Sequence, residues 1–290
     1  MMVRCFHAVS GFMTSLPDTP IRWVLDYRHV NSQSIVPKIP LPNIEDLFDR
    51  MHGCRVFTKI DLASGYHQML VMPSARKYTA FRTHRDVYEW VVAMAGMPGI
   101  WSRLMRRLFD KFDFVVVYMD DICVFSRTIE EHADHLRSIC TVLRTEKLYA
   151  RPSKCSFGVD FVNFLGHTIS KNGLHVDQSK VRVIEKWPEP QSSKDVMSFV
   201  GLASYYRKFI PDFAELVRPL SGLLKKGAKW HWGEDERRAF LIIKFTLQQA
   251  PVLQLPDYDK PYVVTTDASG FCCGAVISQL DGDGNDRPVA

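Results

Sequence analysis

The sharpest hydrophobic pattern in the chain is an apolar run interrupted by two acids. Residues 114–125 read Phe-Val-Val-Val-Tyr-Met-Asp-Asp-Ile-Cys-Val-Phe. Short apolar stretches on both sides of Asp120 and Asp121 predict a hairpin over Val115–Phe125 with the acids between its strands. Adjacent buried like charges are costly unless something compensates them, and a divalent cation is the usual compensator. The same logic places other elements. Ile21–Val30 alternates weakly, as a strand would, and Val56–Ile60 reads as a strand ending at Asp61. Ser102–Phe112 carries Leu104, Met105, Leu108 and Phe109 at helical spacing. Thr128 and Glu131 form a capping-box pattern before a stripe of Ile129, Ala133, Leu136, Cys140 and Leu143. Phe161–Ile169 predicts a strand pair kinked at Gly166. Ser193 is expected to cap a helix bearing Val196, Phe199, Val200 and Ala203. A further helix is expected near Asp235–Gln249, and a strand over Tyr262–Thr266 leads into Asp267. Residues 1–20 show no clear period, and Pro37, Pro40 and Pro42 punctuate an extended stretch.

Composition narrows the class without naming it. The 290 residues suffice for two small domains or one with appendages. A net charge of +5 suits an acidic partner such as nucleic acid, although many proteins are this basic. The seven cysteines are scattered and form no Cys-x-x-Cys pair, so neither a disulfide frame nor a zinc site is expected. Reduced thiols point to a cytoplasmic or nuclear setting. No apolar run reaches membrane-spanning length and no signal peptide is read, so neither a membrane partner nor secretion is expected.

Asp61, Asp120 and Asp121 each abut an apolar strand. Carboxylates suit magnesium, a hard cation held by oxygens. An acid on one strand opposite a hairpin carrying two more can bridge a metal pair about 3.5–4 Å apart, the arrangement that joins a nucleotide to a primer. Taken alone, each acid also suits a surface turn.

Several ordered motifs go further. They are Leu25–Asn31, Phe57–Gln68, Thr79–Thr83, Tyr118-Met119-Asp120-Asp121, Phe164-Leu165-Gly166-His167 and Ser198–Ile210. Together they resemble the polymerase of gypsy-type LTR retrotransposons, a reverse transcriptase (RNA-directed DNA polymerase) within a Pol polyprotein, over about residues 22–280. The resemblance implies an α+β right-hand polymerase fold of fingers, palm and thumb with an antiparallel palm sheet, followed by the start of an RNase H-like domain. It divides the chain into fingers and palm (1–170), thumb and connection helices (171–255) and a truncated RNase H-like fragment (256–290). It implies that Asp61, Asp120 and Asp121 are the catalytic acids and ligands of two Mg2+ ions, with Mn2+ able to substitute. Arg22 aligns with a fingers arginine at the incoming triphosphate. Tyr66 aligns with the aromatic that excludes a 2′-hydroxyl by its volume. Phe164, Leu165 and Gly166 align with the primer grip, and Asp267 with the first of four ribonuclease H acids, whose partners this sequence does not contain. The implied partners are an RNA or DNA template with its primer, and dNTPs. A homodimer or other Pol polyprotein segments are open as protein partners.

Two departures from the family pattern stand out. After Tyr88-Glu89-Trp90 the family usually has Met-Pro-Phe-Gly-Leu, whereas here Ala93–Pro98 reads Ala-Met-Ala-Gly-Met-Pro, about three residues short. Residues 1–20 do not resemble the family's first fingers strands. A chain with these departures has an alternative reading, a catalytically inactive relic that only binds primer–template. Lys171, Lys180, Arg182, Arg207 and Lys208 are candidate phosphate contacts in either case.

Overall fold

The structure is a computed structural model that describes residues 11–14, 22–35, 42–94, 99–250, 253–268, 273–280 and 284–289. In chain order its elements are β1 (Gly11–Thr14), β2 (Arg22–Leu25), α1 (Arg28–Gln33), α2 (Ile44–Asp49), β3 (Val56–Asp61), β4 (Phe81–Arg82), β5 (Val87–Tyr88) and α3 (Ile100–Phe109). There follow β6 (Val115–Tyr118), β7 (Asp121–Ser126), α4 (Ile129–Thr145), β8 (Ser156–Val159), β9 (Phe161–Phe164), β10 (His167–Ser170), β11 (Gly173–Val176), α5 (Gln178–Glu185) and α6 (Ser193–Tyr205). The last are α7 (Phe213–Leu216), α8 (Arg218–Gly222), α9 (Glu234–Gln248), β12 (Val263–Ala268), β13 (Cys273–Leu280) and β14 (Asp286–Pro288). The mixture of helices and antiparallel strands is α+β, as the sequence implies.

The chain forms two compact units. The first gathers the described residues up to 42 with Thr58–Phe125 and Ile129–Phe157; the second holds Asn43–Phe57, Ser126–Thr128 and the described residues from Gly158 onward. In the first unit β6 and β7 pair antiparallel from Val115↔Val124 to Tyr118↔Asp121, within a sheet ordered β6-β7-β3-β8. Helix α3 buries Trp101, Met105, Leu108 and Phe109, one stripe at helical spacing, into a core shared with Ile60, Leu62, Val115, Ile122, Val124, Ile139 and Leu143. Each such side chain contributes about 1.5–3 kcal/mol when fully buried. A smaller cluster joins Leu25, Tyr27, Phe81 and Met94.

Three expectations need correction here. The Ile21–Val30 strand stops at Leu25, because the Asp26 carboxylate accepts from the Arg28 backbone N–H at 3.1 Å and from its guanidinium at 2.6 Å. That local turn chemistry starts α1 instead. The stripe on α4 is also rotated: Ile129, Ala133 and Cys140 are exposed, whereas His132, Ile139 and Leu143 are buried. The polar His132 anchors the face, its Nε2 lying 2.7 Å from Thr58 Oγ1. Counting only apolar residues therefore put the seam one position off. Finally, β1 occupies part of the segment that gave no period, paired antiparallel with β2.

In the second unit, β9, β10 and β11 form one antiparallel sheet and β12, β13 and β14 another. Helix α9 packs against α5 and α8, and the Phe199 ring of α6 lies 4.6 Å from that of Phe240 on α9. The cap of α6 is Ser192 rather than Ser193; its side chain accepts from the Asp195 N–H. Asp177 caps α5 in the same way. Both satisfy amides that the first helical turn leaves without partners.

Candidate active site

The candidate site is built on the open ends of β3, β6 and β7 in the first unit. Asp61 is the last residue of β3 and Asp121 the first of β7, with Asp120 in the two-residue connection. Met119, the other connecting residue, has φ +53°, a left-handed conformation that costs a non-glycine residue energy. The indole of Trp101 compensates by donating its Nε1–H to the Met119 carbonyl at 2.9 Å. Trp101 is almost fully buried, so the strand bend rests on a fixed support. The same indole packs so close to Gly65 that a Cβ there would fall 2.6 Å from its ring. Glycine is required at 65 for that approach.

The acids themselves are not buried, which corrects the expectation of charges inside the apolar run. Asp120 is exposed, and Asp61 and Asp121 are half-buried. β7 is buried from Ile122 through Ser126, but the bend before it lifts the acids out of the core. The Asp120 carboxyl is nonetheless pushed above its ordinary range by local desolvation and by the charges of Asp121 and Asp61. Because Asp120 is open to solvent, the two neighbouring carboxylates are the part of this shift tied to the site's geometry. Asp121 is offset by Lys59, whose Nζ lies 3.0 Å from Oδ1. Lys59 and Asp61 are two apart on one strand and so share its face. Sequence reasoning passed over Lys59, though that spacing was the available signal.

Among the described residues, no set of three or more His, Cys, Asp or Glu side chains is drawn together as a ready metal cage. The donor chemistry still fits a hard divalent cation: three carboxylates converge on one end of the sheet, and Asp120 carries repulsion that a cation would relieve.

Tyr66 sits in the 3-10 turn Gly65–Gln68 directly after β3, its ring 5.8 Å from that of Trp101. Burial and the charge of Asp120 hold its hydroxyl above its ordinary pKa, which places it in the field of the acids. Gln68, also not singled out from sequence, fixes the segment. Its Nε2 donates to the carbonyls of Ala63 at 2.6 Å and Tyr149 at 2.9 Å, and its Oε1 accepts from the Tyr149 N–H. The Asp61 backbone is held on both sides, its carbonyl accepting from Arg151 N–H at 2.8 Å and its N–H donating to Cys155 Sγ at 3.4 Å.

The other sequence candidates fall elsewhere. Arg22 lies in β2, opposite Thr14, and Asp267 in β12, opposite Gly274; their side chains lie outside what the structure describes. Phe164, Leu165 and Gly166 belong to the second unit, at the β9–β10 hairpin. Phe164 is fully buried there, and Leu165 and Gly166 take φ of +50° and +74°. In the shortened loop, Ala93 and Met94 are buried, and the Ala93 N–H donates to the Met69 carbonyl at 2.8 Å. Residues 95–98 lie outside the described residues. Lys208, read as a phosphate contact, stands over the rings of Phe48 and Phe209 at 5.3 and 5.9 Å, and burial lowers its pKa. Among the described residues, no helix is long and apolar enough to cross a membrane.

Comparison with known proteins bears on this site. A family model for reverse transcriptase (RNA-dependent DNA polymerase) matches residues 17–169, and one for the RNase H-like domain found in reverse transcriptase matches 232–290. The chain is 37% identical over 277 residues to the retrovirus-related Pol polyprotein from transposon 297 of Drosophila melanogaster, covering 93% of this chain and 26% of that protein. It is 35% identical over 275 residues to the transposon Tf2-3 polyprotein of Schizosaccharomyces pombe, covering 93% and 21%. The chain thus spans about a quarter or less of the curated relatives it matches. Among solved structures, it superposes on a foamy viral protease-reverse transcriptase in complex with dsDNA with a TM-score of 0.84 at 26% identity, over 98% of this chain and 60% of that one. A second such protein, a dRH form in complex with ds DNA, gives 0.87 at 24% identity over 98% and 50%, a likeness of fold. The fold is that of the right-hand polymerases. Reverse transcriptases generally use divalent metals. With its acid-bearing hairpin, its polymerase fold and a family match over more than half its length, the chain belongs to the reverse transcriptase (RNA-dependent DNA polymerase) family.

Proposed function

We propose that this chain carries the polymerase core of a gypsy-type LTR-retrotransposon Pol polyprotein and extends a primer with dNTPs on an RNA or DNA template. The observation that carries the reading is the grouping of Asp61, Asp120, Asp121 and Tyr66 at one sheet end, with Trp101, Lys59 and Gln68 holding them. Asp61, Asp120 and Asp121 would hold Mg2+ or Mn2+. Such ions, when bound, sharpen the primer 3′-hydroxyl as a nucleophile and stabilise the leaving pyrophosphate. The chain's own residues orient the reactants. Trp101 fixes the bend that aims Asp120. Lys59 holds Asp121 in place. Tyr66 presents ring volume where a 2′-hydroxyl would stand. Arg22 is assigned to the triphosphate by its alignment with the family's fingers arginine, a role that suits a planar guanidinium.

Residues 1–170 act as fingers and palm, 171–255 as thumb and connection, and 256–290 as an RNase H-like fragment. Phe164, Leu165 and Gly166 form the primer grip. The foamy viral protease-reverse transcriptase that matches at 26% identity is a complex with dsDNA, which supports a nucleic-acid duplex as this chain's partner.

Purified chain, a DNA primer annealed to an RNA template, dNTPs and Mg2+ test the proposal. Template-dependent extension is expected, and Tyr66→Ala should incorporate more ribonucleotide relative to deoxynucleotide. No extension under any divalent cation would refute the activity. Unchanged sugar selectivity in an active Tyr66→Ala variant would remove Tyr66 from the site.

A further inference from the structure

The hairpin between β9 and β10 turns on two residues of positive φ, Leu165 at +50° and Gly166 at +74°. For leucine that conformation costs about 1–2 kcal/mol, so neighbouring contacts must enforce it. They come from the end of α6 and the residue beyond it. Tyr205 donates its hydroxyl to the Leu165 carbonyl at 2.5 Å, and Tyr206 donates to the Gly166 carbonyl at 3.0 Å. His167 Nδ1–H adds a second bond to Leu165 O at 3.0 Å, and the Asp177 N–H a second to Gly166 O at 3.2 Å. The two tyrosine rings stand nearly perpendicular, 4.9 Å apart, so neither can swing without moving the other. A Cβ on Gly166 would meet the Tyr206 hydroxyl at 2.9 Å.

These contacts also decide what the turn shows to its surroundings. In a trans peptide the C=O and the following N–H point in opposite directions. With the Leu165 carbonyl drawn toward Tyr205, the Gly166 N–H points away from the Tyr205 hydroxyl. An outward backbone N–H on a bare glycine is a close-approach donor for a phosphate oxygen. We propose that Tyr205 and Tyr206 are positioning residues for polymerisation: their hydroxyls lock the 165–166 turn so that the Gly166 amide meets a phosphate near the primer 3′ end. This rests on the reading of Phe164–Gly166 as the primer grip.

The test uses a Tyr205→Phe/Tyr206→Phe double variant, which keeps both rings and removes only the hydroxyls. Single Tyr205→Phe, whose ring is partly exposed, serves if the double variant does not fold. Hydrogen exchange at the His167 amide, paired opposite Phe164 across the hairpin, is measured without nucleic acid. Extension is measured on primers carrying a neutral methylphosphonate at each of the last phosphates in turn. The inference expects exchange to rise about tenfold or more and extension at saturating dNTP to fall about tenfold, with the dNTP KM unchanged. It also expects wild type to be slowed by methylphosphonate at one position and the variant to lose that sensitivity. Unchanged exchange or unchanged extension in the variant overturns the inference while leaving the primer grip standing. A wild type indifferent to methylphosphonate at every position overturns the primer-grip reading, and the inference with it.

Discussion

Two tight turns in this chain share a backbone problem and differ in their electrostatics. At 119–120 and at 165–166 a bulky residue takes positive φ, Met119 at +53° and Leu165 at +50°. In both, a ring donor distant in sequence reaches that residue's carbonyl, Trp101 in the first and Tyr205 in the second. There the likeness ends. The 165–166 turn has each carbonyl held by two donors and carries no charge. The 119–120 turn is held by Trp101, and the carboxylate it carries is crowded by two others. One turn is finished by the protein. The other retains repulsion between neighbouring carboxylates, which under the proposed function a cation would relieve. Local strain is supported in both places, while residual charge persists only where the proposed chemistry needs it.

The largest effect that would sharpen this contrast is Gly65→Ala. Its new Cβ would stand 2.6 Å from the Trp101 ring, so the indole must shift and its hold on Met119 loosen. We expect a loss of about 1–3 kcal/mol in stability and about a hundredfold in extension rate, as for a displacement near 1 Å at reacting atoms. Kinetics and chemical denaturation check both numbers. A variant with wild-type extension would show that the Trp101 support is idle.

The second turn is probed by pH. Burial holds His167 at a pKa of about 4, against an ordinary 6.5, with Lys208 lowering it further and the Leu165 carbonyl and Asp177 raising it. The unfolded chain therefore binds more protons than the folded one between these values. Stability from this residue is full above about pH 6.5 and is lost as pH falls toward about 4, to a total of about 3 kcal/mol. Across that range wild type should lose about this much more stability than His167→Phe does, as read by denaturation at each pH. Parallel curves would mean His167 titrates normally.

The last variant is Trp101→Phe, which deletes the N–H donor and part of a buried indole. Met119 is exposed, so water can replace part of the lost bond, and the bond and the space left behind should together remove about 1–3 kcal/mol of stability. Extension should suffer more than stability does. Equal losses would demote Trp101 to packing.

Much of this was legible in the sequence, and the reason is period. The strand ending at Asp61, the hairpin bearing Asp120 and Asp121, and the helices α3, α6 and α9 each repeat apolar residues at their own spacing. What escaped was set by contacts across sequence. His132 gave no apolar signal, so α4 was read with its seam rotated. The Asp26–Arg28 turn ended a strand that weak alternation had extended. Trp101 with Met119, and the two tyrosines with residues 165 and 166, are 18 and 40 positions apart, beyond any local pattern. The place of the acids at a strand end and a hairpin was legible, but their exposure was not, because an apolar run says nothing of where its bend lifts out of the core.

The central claim is that the charge at 120 serves chemistry and not the fold. Asp120→Asn tests it when primer extension with Mg2+ and thermal melting without metal are measured on the same preparation. Because desolvation and the neighbouring carboxylates raise the Asp120 pKa, ionising it costs the folded state, and an amide removes that cost. The account predicts extension reduced about a thousandfold or more, with a metal-free melting temperature at or above that of wild type. A markedly lower melting temperature, or extension near the wild-type rate, would contradict it.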